Sequence, residues 1–201
     1  KTPGHPEYGV TNGVDMSTGP LGQGIASAVG MATAGKKLNK TYKSLKEQSL
    51  FDYNVYVLCG DGDLMEGISY EATSLAGSLK LNNLIVLYDS NDISLDGKTK
   101  GVFDDNIIDR FKALNWNTIL VKDNTVSNID KAIKKAKKSD RPTLIQIKTI
   151  LGDGSINENT NKVHGSPLDK DDIAKLKLKL KINPEEFYVD LSMKEYFSKQ
   201  I

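Results

Sequence analysis

The sequence predicts an α/β fold, a parallel sheet with helices on both faces. Two observations carry this. Runs such as Asn54-Val55-Tyr56-Val57-Leu58, Leu84-Ile85-Val86-Leu87-Tyr88, Trp116-Asn117-Thr118-Ile119-Leu120-Val121 and Thr143-Leu144-Ile145-Gln146-Ile147 are short, apolar and β-branched or aromatic, as buried strands are. Stretches with apolar residues at helical spacing lie between them, and strand alternating with helix builds a parallel sheet through right-handed crossovers. With 201 residues, 38% hydrophobic and 26% charged, the chain is long enough for one globular domain with a substantial core.

Residues 1–20, rich in Gly, Pro and Thr, read as a surface loop. A helix is predicted over 22–38, lined by the small residues Gly24, Ala26, Ser27, Ala28, Gly30, Ala32 and Ala34, which let another backbone come close. The Gly19-x-x-Gly22-x-Gly24 pattern at its start is a poor dinucleotide fingerprint, because no strand precedes it and no acidic residue follows at the right place. Residues 39–52 are polar and read as a solvated face. After the strand at 54–58, a helix over 66–79 is expected to place Ile68, Ala72, Leu75, Ala76 and Leu79 on one side. A strand at 84–88, an Asp-Gly turn at 94–97, a helix over 105–114 and a strand at 116–121 follow. The helix over 127–139 turns Ile129, Ala132, Ile133 and Ala136 inward and its lysines outward. A strand at 143–150 precedes a helix over 169–181, whose acidic first turn suits the helix dipole. The expected organisation is a domain over 1–182, then an extended linker and a short helix over 183–201.

Several function classes find no support. A net charge of +1 gives no electrostatic argument for nucleic acid. No apolar run approaches the ~20 residues a membrane-spanning helix needs. The single cysteine, Cys59, cannot form an internal disulfide; it reads as a small buried side chain in a reducing compartment, with a cytoplasmic location expected. No signal peptide is visible, but the chain opens inside a motif and is expected to lack its native amino terminus.

The chemistry centres on Leu58-Cys59-Gly60-Asp61-Gly62-Asp63-Leu64-Met65-Glu66-Gly67. A strand, a Gly-Asp-Gly turn and a helix follow one another there, and in an open α/β sheet ligands bind at the carboxyl ends of strands. Gly60 and Gly62 let amide N–H groups approach an anion, while Asp61 offers a hard oxygen ligand. The strand at 84–88 ends in Asp89-Ser90-Asn91-Asp92-Ile93-Ser94. If the two strands are neighbours, Asp61 and Asn91 emerge at one sheet edge. Mg²⁺ and Ca²⁺ take about six or more oxygens, so a carboxylate, a side-chain amide, a backbone carbonyl, two phosphate oxygens and a water form a plausible set.

These stretches, with Thr2-Pro3-Gly4-His5-Pro6-Glu7, Thr18-Gly19-Pro20-Leu21-Gly22-Gln23-Gly24, and Val163-His164-Gly165-Ser166-Pro167-Leu168, make nearly the whole chain resemble the thiamine-diphosphate-binding domain of transketolases. The resemblance implies thiamine diphosphate as cofactor, held at Gly19, Leu21, Gly60, Asp61, Gly62, Asn91, Ile93, Leu95 and His164, with Mg²⁺ or Ca²⁺ on Asp61, Asn91 and Ile93. It implies catalytic roles for His5 and His164 at the donor sugar, and for Glu66, with Glu71, in a carboxylate network between two active sites. The small-residue helix would lie at a subunit interface. The implied reaction transfers a two-carbon ketol unit from a ketose phosphate to an aldose phosphate, with the cofactor as electron sink.

The family completes this site with a second domain, usually from a partner subunit of a homodimer. No stretch here matches that domain, so the isolated chain is expected to have little turnover. Two residues depart from the usual motifs. Asp63 adds a carboxylate beside a diphosphate site and should weaken binding if it points inward; Ser90 stands where an acid is common and should be tolerated. The second Gly-Asp-Gly, at Gly152 to Gly154, reads as a decoy, since no amphipathic helix and no spaced Asn follow it; it aligns with a mobile loop at the family's substrate entrance. Dihydroxyacetone synthase, a deoxyxylulose phosphate synthase, which Gly4-His5-Pro6-Glu7 disfavours, and a non-catalytic assembly domain are the alternative readings.

Overall fold

A computed structural model describes residues 4–42 and 51–200. Eight residues of the stretch expected to be a solvated face, 43–50, lie outside the described residues. The chain divides into two compact units, 1–149 and 150–201. The boundary expected at 182 falls inside the second of them.

The first unit is a four-stranded parallel sheet of order β1-β2-β6-β5, formed by β1 (Val55–Cys59), β2 (Leu84–Ser90), β5 (Asn117–Val121) and β6 (Thr143–Lys148). A small antiparallel hairpin, β3 (Ile93–Ser94) with β4 (Gly97–Lys98), follows β2. Helices α1 (Gln23–Tyr42), α2 (Gly67–Ser78) and α3 (Ile107–Ala113) cover one face, and α4 (Val126–Ala136) covers the other. Handedness explains the split. The chain moves across the sheet one way from β1 to β2 to β5, then back from β5 to β6; a right-handed crossover in the reverse direction must pass over the opposite face.

Two cores result. Ile25, Ala28, Val29 and Ala32 of α1 pack with Val55, Val86, Leu144, Phe111 and Trp116 on one face, while Ile85, Ile145, Ile147 and Val121 pack with Ala132 and Ala136 on the other. Because α4 spans only the β5–β6 half, the outer face of β1 is open and Leu58 is 78% exposed.

The face expected for α2 is corrected. Leu75 and Leu79 are 52% and 49% exposed, and the buried positions are Ser69, Thr73, Ala76 and Gly77. Small side chains win because this helix is wedged between α1 and the segment that enters β5. Trp116 Nε1–H donates to the Thr73 carbonyl at 2.8 Å, and a Cβ on Gly77 would collide with the Leu114 carbonyl.

The second unit holds a turn-rich loop, a 3₁₀ turn at Asn161–Val163, and the helices α5 (Lys170–Leu180) and α6 (Leu191–Ser198). Asp169 caps α5 by accepting from Asp172 N–H, and Lys181 ends it in the left-handed region. Helix α6 opens at Leu191, where Asp190 caps it by accepting from Ser192 N–H.

Candidate functional site

Cys59 faces Tyr88 in the parallel register, so the turns that follow β1 and β2 share one edge of the sheet. After Gly60-Asp61 the chain makes a 3₁₀ turn over Gly62–Met65 before α2, with Glu66 at the helix N-cap. Asp61 turns its carboxylate toward the end of β2. Oδ1 accepts from the Tyr88 hydroxyl, and Oδ2 accepts from the N–H groups of Asn91 at 3.3 Å and Asp92 at 3.0 Å.

Asp61 is 5% exposed, and among the described residues no lysine, arginine or histidine pairs with it. Burial pushes its pKa up, against the opposing pull of Tyr88 and the two amides. The Tyr88 phenol is itself pushed well above its ordinary value, first by burial and then by Asp61, so it stays a donor. Three donors leave the carboxylate with an unused lone pair. A buried anion with no cation beside it fits a hard metal ion.

Asn91 lies at the same place. Its Oδ1 accepts from Ile93 N–H at 3.0 Å, an Asx turn that aims the chain into the β3–β4 hairpin. Ile93 is buried and Leu95 is exposed at the hairpin's end. Among the described residues no group of three or more His, Cys, Asp or Glu gathers. An ion here would therefore take few carboxylates from the chain, Asp61 first, and fill its shell with neutral oxygens and those of a ligand, as Mg²⁺ does with phosphates. Ser90 Oγ accepts from Gln146 at 3.0 Å and Lys148 at 2.9 Å, so the serine is engaged by donors where an acid would form an ion pair.

The loop before α1 forms the apolar side. Gly19 and Gly22 have φ of +148° and +77°, and a Cβ on Gly22 would lie 2.8 Å from Ile68, so that position needs glycine for both backbone and space. The His5 ring sits 3.1 Å from where a Gly19 Cβ would be, and Leu21 sits 3.2 Å from the same point on Gly62. His5, Gly19, Leu21, Met31, Leu87 and Asp63 are among the residues lining a cleft of about 760 Å³. The structure thus brings His5, Gly19, Leu21, Gly60, Asp61, Gly62, Asn91 and Ile93 into the first unit's strand-end region. Glu66 and Glu71 are exposed at the start of α2.

Two expectations change. The Gly60 N–H, expected to approach an anion, already donates to Asp63 Oδ2 at 2.9 Å. Asp63, expected to weaken binding if it points inward, has its other oxygen on the Gly22 N–H at 2.9 Å. Cys59 is a free, buried thiol whose pKa is raised by burial and then by Asp63 and Asp61, in keeping with an inert packing role.

His164 belongs to the second unit, and its Nδ1 is buried with no hydrogen-bond partner. Such an orphaned nitrogen suits a ligand contact. The nearby loop is held from within. Gly152 and Gly154 have φ of +64° and +91° and lie against Val163 and Leu176, whereas Asp153 is exposed. Asp172, 1% exposed, accepts from Ser155 Oγ at 2.6 Å and from Ile156 N–H at 3.1 Å. Asp172→Ala would remove the acceptor that the Ser155 hydroxyl and the Ile156 amide share, at about 1–3 kcal/mol for the buried hydroxyl. We expect limited proteolysis within residues 151–164 to accelerate at least about tenfold; an unchanged rate would show that this carboxylate does not hold the loop.

Sequence reasoning missed Tyr88 and Asp172. Tyr88 shares the buried face of β2 with Leu84 and Val86 and reads as core, so only its position beside the Asp61 turn could have suggested a polar task. Asp172 looks like a dipole-compensating residue of a helix start.

Fold and site define an α/β cofactor-binding domain, with a buried carboxylate at the strand ends and an apolar cleft along β1 and the start of α1. The chain belongs to the transketolase family: it matches the family described as transketolase, thiamine diphosphate binding domain, over residues 1–201. It is 52% identical over 202 residues to the transketolase of Bacillus subtilis, covering 98% of this chain and 30% of that protein. The solved transketolase from Leishmania mexicana superposes with a TM-score of 0.92 at 43% identity, covering 98% of this chain and 30% of that one. A Pichia stipitis transketolase solved in complex with sedoheptulose-7-phosphate is 42% identical with a TM-score of 0.85, over 91% of this chain and 28% of that one. The chain therefore spans about 30% of the length of the relatives it matches.

Proposed function

We propose that this chain is the diphosphate- and metal-binding part of an enzyme that moves a two-carbon ketol unit from a ketose phosphate to an aldose phosphate. Its cofactor is thiamine diphosphate with Mg²⁺ or Ca²⁺. The observation that carries this is the meeting of the buried, cation-less Asp61 with the Asn91 turn at one sheet edge. Asp61, the Asn91 side-chain oxygen and the Ile93 carbonyl hold the metal, and the Gly62 amide meets the diphosphate. Gly19 and Leu21 form the apolar wall for the ring part of the cofactor. When bound, thiamine diphosphate supplies an electron sink for breaking a carbon–carbon bond beside a carbonyl.

His5, exposed in the cleft, orients donor hydroxyls from this chain's side, and Glu66 connects to a second subunit. Full turnover draws on a partner that supplies the remaining half of the site, and sugar phosphates like the one in the Pichia stipitis complex are the substrates.

Titrating thiamine diphosphate into the chain with and without Mg²⁺, followed by calorimetry, tests this reading. Saturable binding that needs the divalent ion and falls at least about tenfold with a chelator is expected. No binding at millimolar cofactor, or binding indifferent to the metal, would overturn it.

A further inference from the structure

Asp63, which lines the cleft, joins the loop before α1 to the turn after β1. Its Oδ1 accepts from Gly22 N–H and its Oδ2 from Gly60 N–H, both at 2.9 Å, across 41 and 3 residues of sequence. Both carboxylate oxygens are thus engaged in charge-assisted hydrogen bonds, which are short and roughly twice as strong as neutral ones. The residue is also fixed from its backbone side, where its carbonyl accepts from Ser69 Oγ at 2.5 Å and from Glu66 N–H at 3.4 Å. Its charge lies at the amino end of α1, a helix of 20 residues with no acid in its first turn, where an anion is favoured.

The two tethered amides belong to different parts of the site. Gly22 ends the loop that carries Gly19 and Leu21; Gly60 starts the turn that carries Asp61. The loop cannot settle by side-chain packing at Gly22, which has none, and its backbone already lies against Ile68 and Ser69. What fixes its position relative to the turn is this carboxylate, together with Leu21 resting on Gly62.

We propose that Asp63 is a positioning residue that sets the spacing between the apolar wall at Gly19–Leu21 and the metal-binding carboxylate of Asp61. It thereby matches the site to a ligand with an organic ring at one end and a diphosphate at the other. This rests on the cofactor reading above. A ligand made only of diphosphate and metal touches the Asp61 side and does not need the spacing. One that carries a ring as well needs both walls in register.

The test compares thiamine diphosphate with inorganic diphosphate, each with Mg²⁺, on the parent chain, Asp63→Ala and Asp63→Asn, together with amide hydrogen exchange at Gly22 and Gly60. For Asp63→Ala we expect thiamine diphosphate affinity to fall at least about tenfold, the scale of one lost charge-assisted hydrogen bond, while inorganic diphosphate changes less than about threefold. Exchange at both amides should accelerate at least about tenfold. Asp63→Asn keeps one acceptor oxygen and should fall between; it is read in the same way if the alanine variant does not fold. Equal losses for the two ligands would make Asp63 a general structural residue and overturn the proposal, as would unchanged exchange at Gly22 and Gly60. A parent chain that binds neither ligand overturns the cofactor reading and this proposal with it, whereas parent-like binding by Asp63→Ala overturns this proposal alone.

Discussion

Asp61→Asn is expected to abolish metal-supported binding of thiamine diphosphate while leaving the free chain at least as stable as the parent. The carboxylate is buried and accepts from Tyr88, Asn91 and Asp92, with no cation paired to it among the described residues. Its folded pKa lies above the ordinary value of 3.8, chiefly through burial. The folded chain therefore binds this proton more tightly than the unfolded chain does. The stability linked to protonated Asp61 is fully present below the unfolded pKa and is lost as pH rises through the raised one. At neutral pH the ionised side chain thus destabilises the free chain.

An asparagine is neutral at every pH, its oxygen can accept the two backbone N–H groups, and its nitrogen can donate to the Tyr88 hydroxyl. Metal-dependent affinity should fall at least about 100-fold, because the ion loses the buried carboxylate proposed to hold it. The melting temperature of the free chain should stay level or rise by roughly 2–4 °C for each kcal/mol relieved, with the gain larger at pH 7 than at pH 4. Retained affinity would remove Asp61 from the metal site, and a melting temperature several degrees lower would make its charge a structural requirement.

Which parts of this were legible in the sequence follows from how local each signal is. The strands were plain because β2 and β6 are buried runs of Val, Ile and Leu, and β1 is a short apolar run even though its outer face is open. The pairing of Asp61 with the Asn91 turn was legible because both lie just past strand ends, and adjacent parallel strands bring such turns together. The environment of each carboxylate was not legible. Asp61 and Asp63 stand two residues apart in one motif, yet one reaches β2 and the other reaches the start of α1, and only the fold decides which amide each meets. The buried face of α2 failed for a related reason. Hydrophobicity nominated Leu75 and Leu79, but the space between α1 and the entry to β5 admits only Ser69, Thr73, Ala76 and Gly77, and available space is a tertiary property.

That narrow space makes Gly77→Ala the substitution with the largest expected effect on stability. A Cβ on Gly77 would collide with the Leu114 carbonyl oxygen and lie 3.3 Å from the Trp116 ring. The obstacle is backbone, which cannot rotate away, so α2 or residues 114–116 must move. Movement there breaks more than one interaction. Trp116 donates its indole N–H to the Thr73 carbonyl at 2.8 Å and packs edge-on against Phe111 at 5.1 Å between ring centres, and the strand β5 begins at the next residue. Overpacking alone costs about 1–3 kcal/mol, and a strained or broken buried hydrogen bond adds about 1–3 kcal/mol more. For a chain of this size we expect the melting temperature to fall by roughly 4–24 °C.

Gly30→Ala is the matched control. Gly30 sits within α1 and a Cβ there meets nothing within 4 Å, so the same chemical change should stabilise by up to about 1 kcal/mol through helix propensity. Opposite signs from one added methyl group in two helices would show that the closeness of α2 to the Leu114 carbonyl, rather than the flexibility of glycine, holds this side of the domain together. A Gly77→Ala chain that melts with the parent would show that α2 and the entry to β5 lie further apart than described.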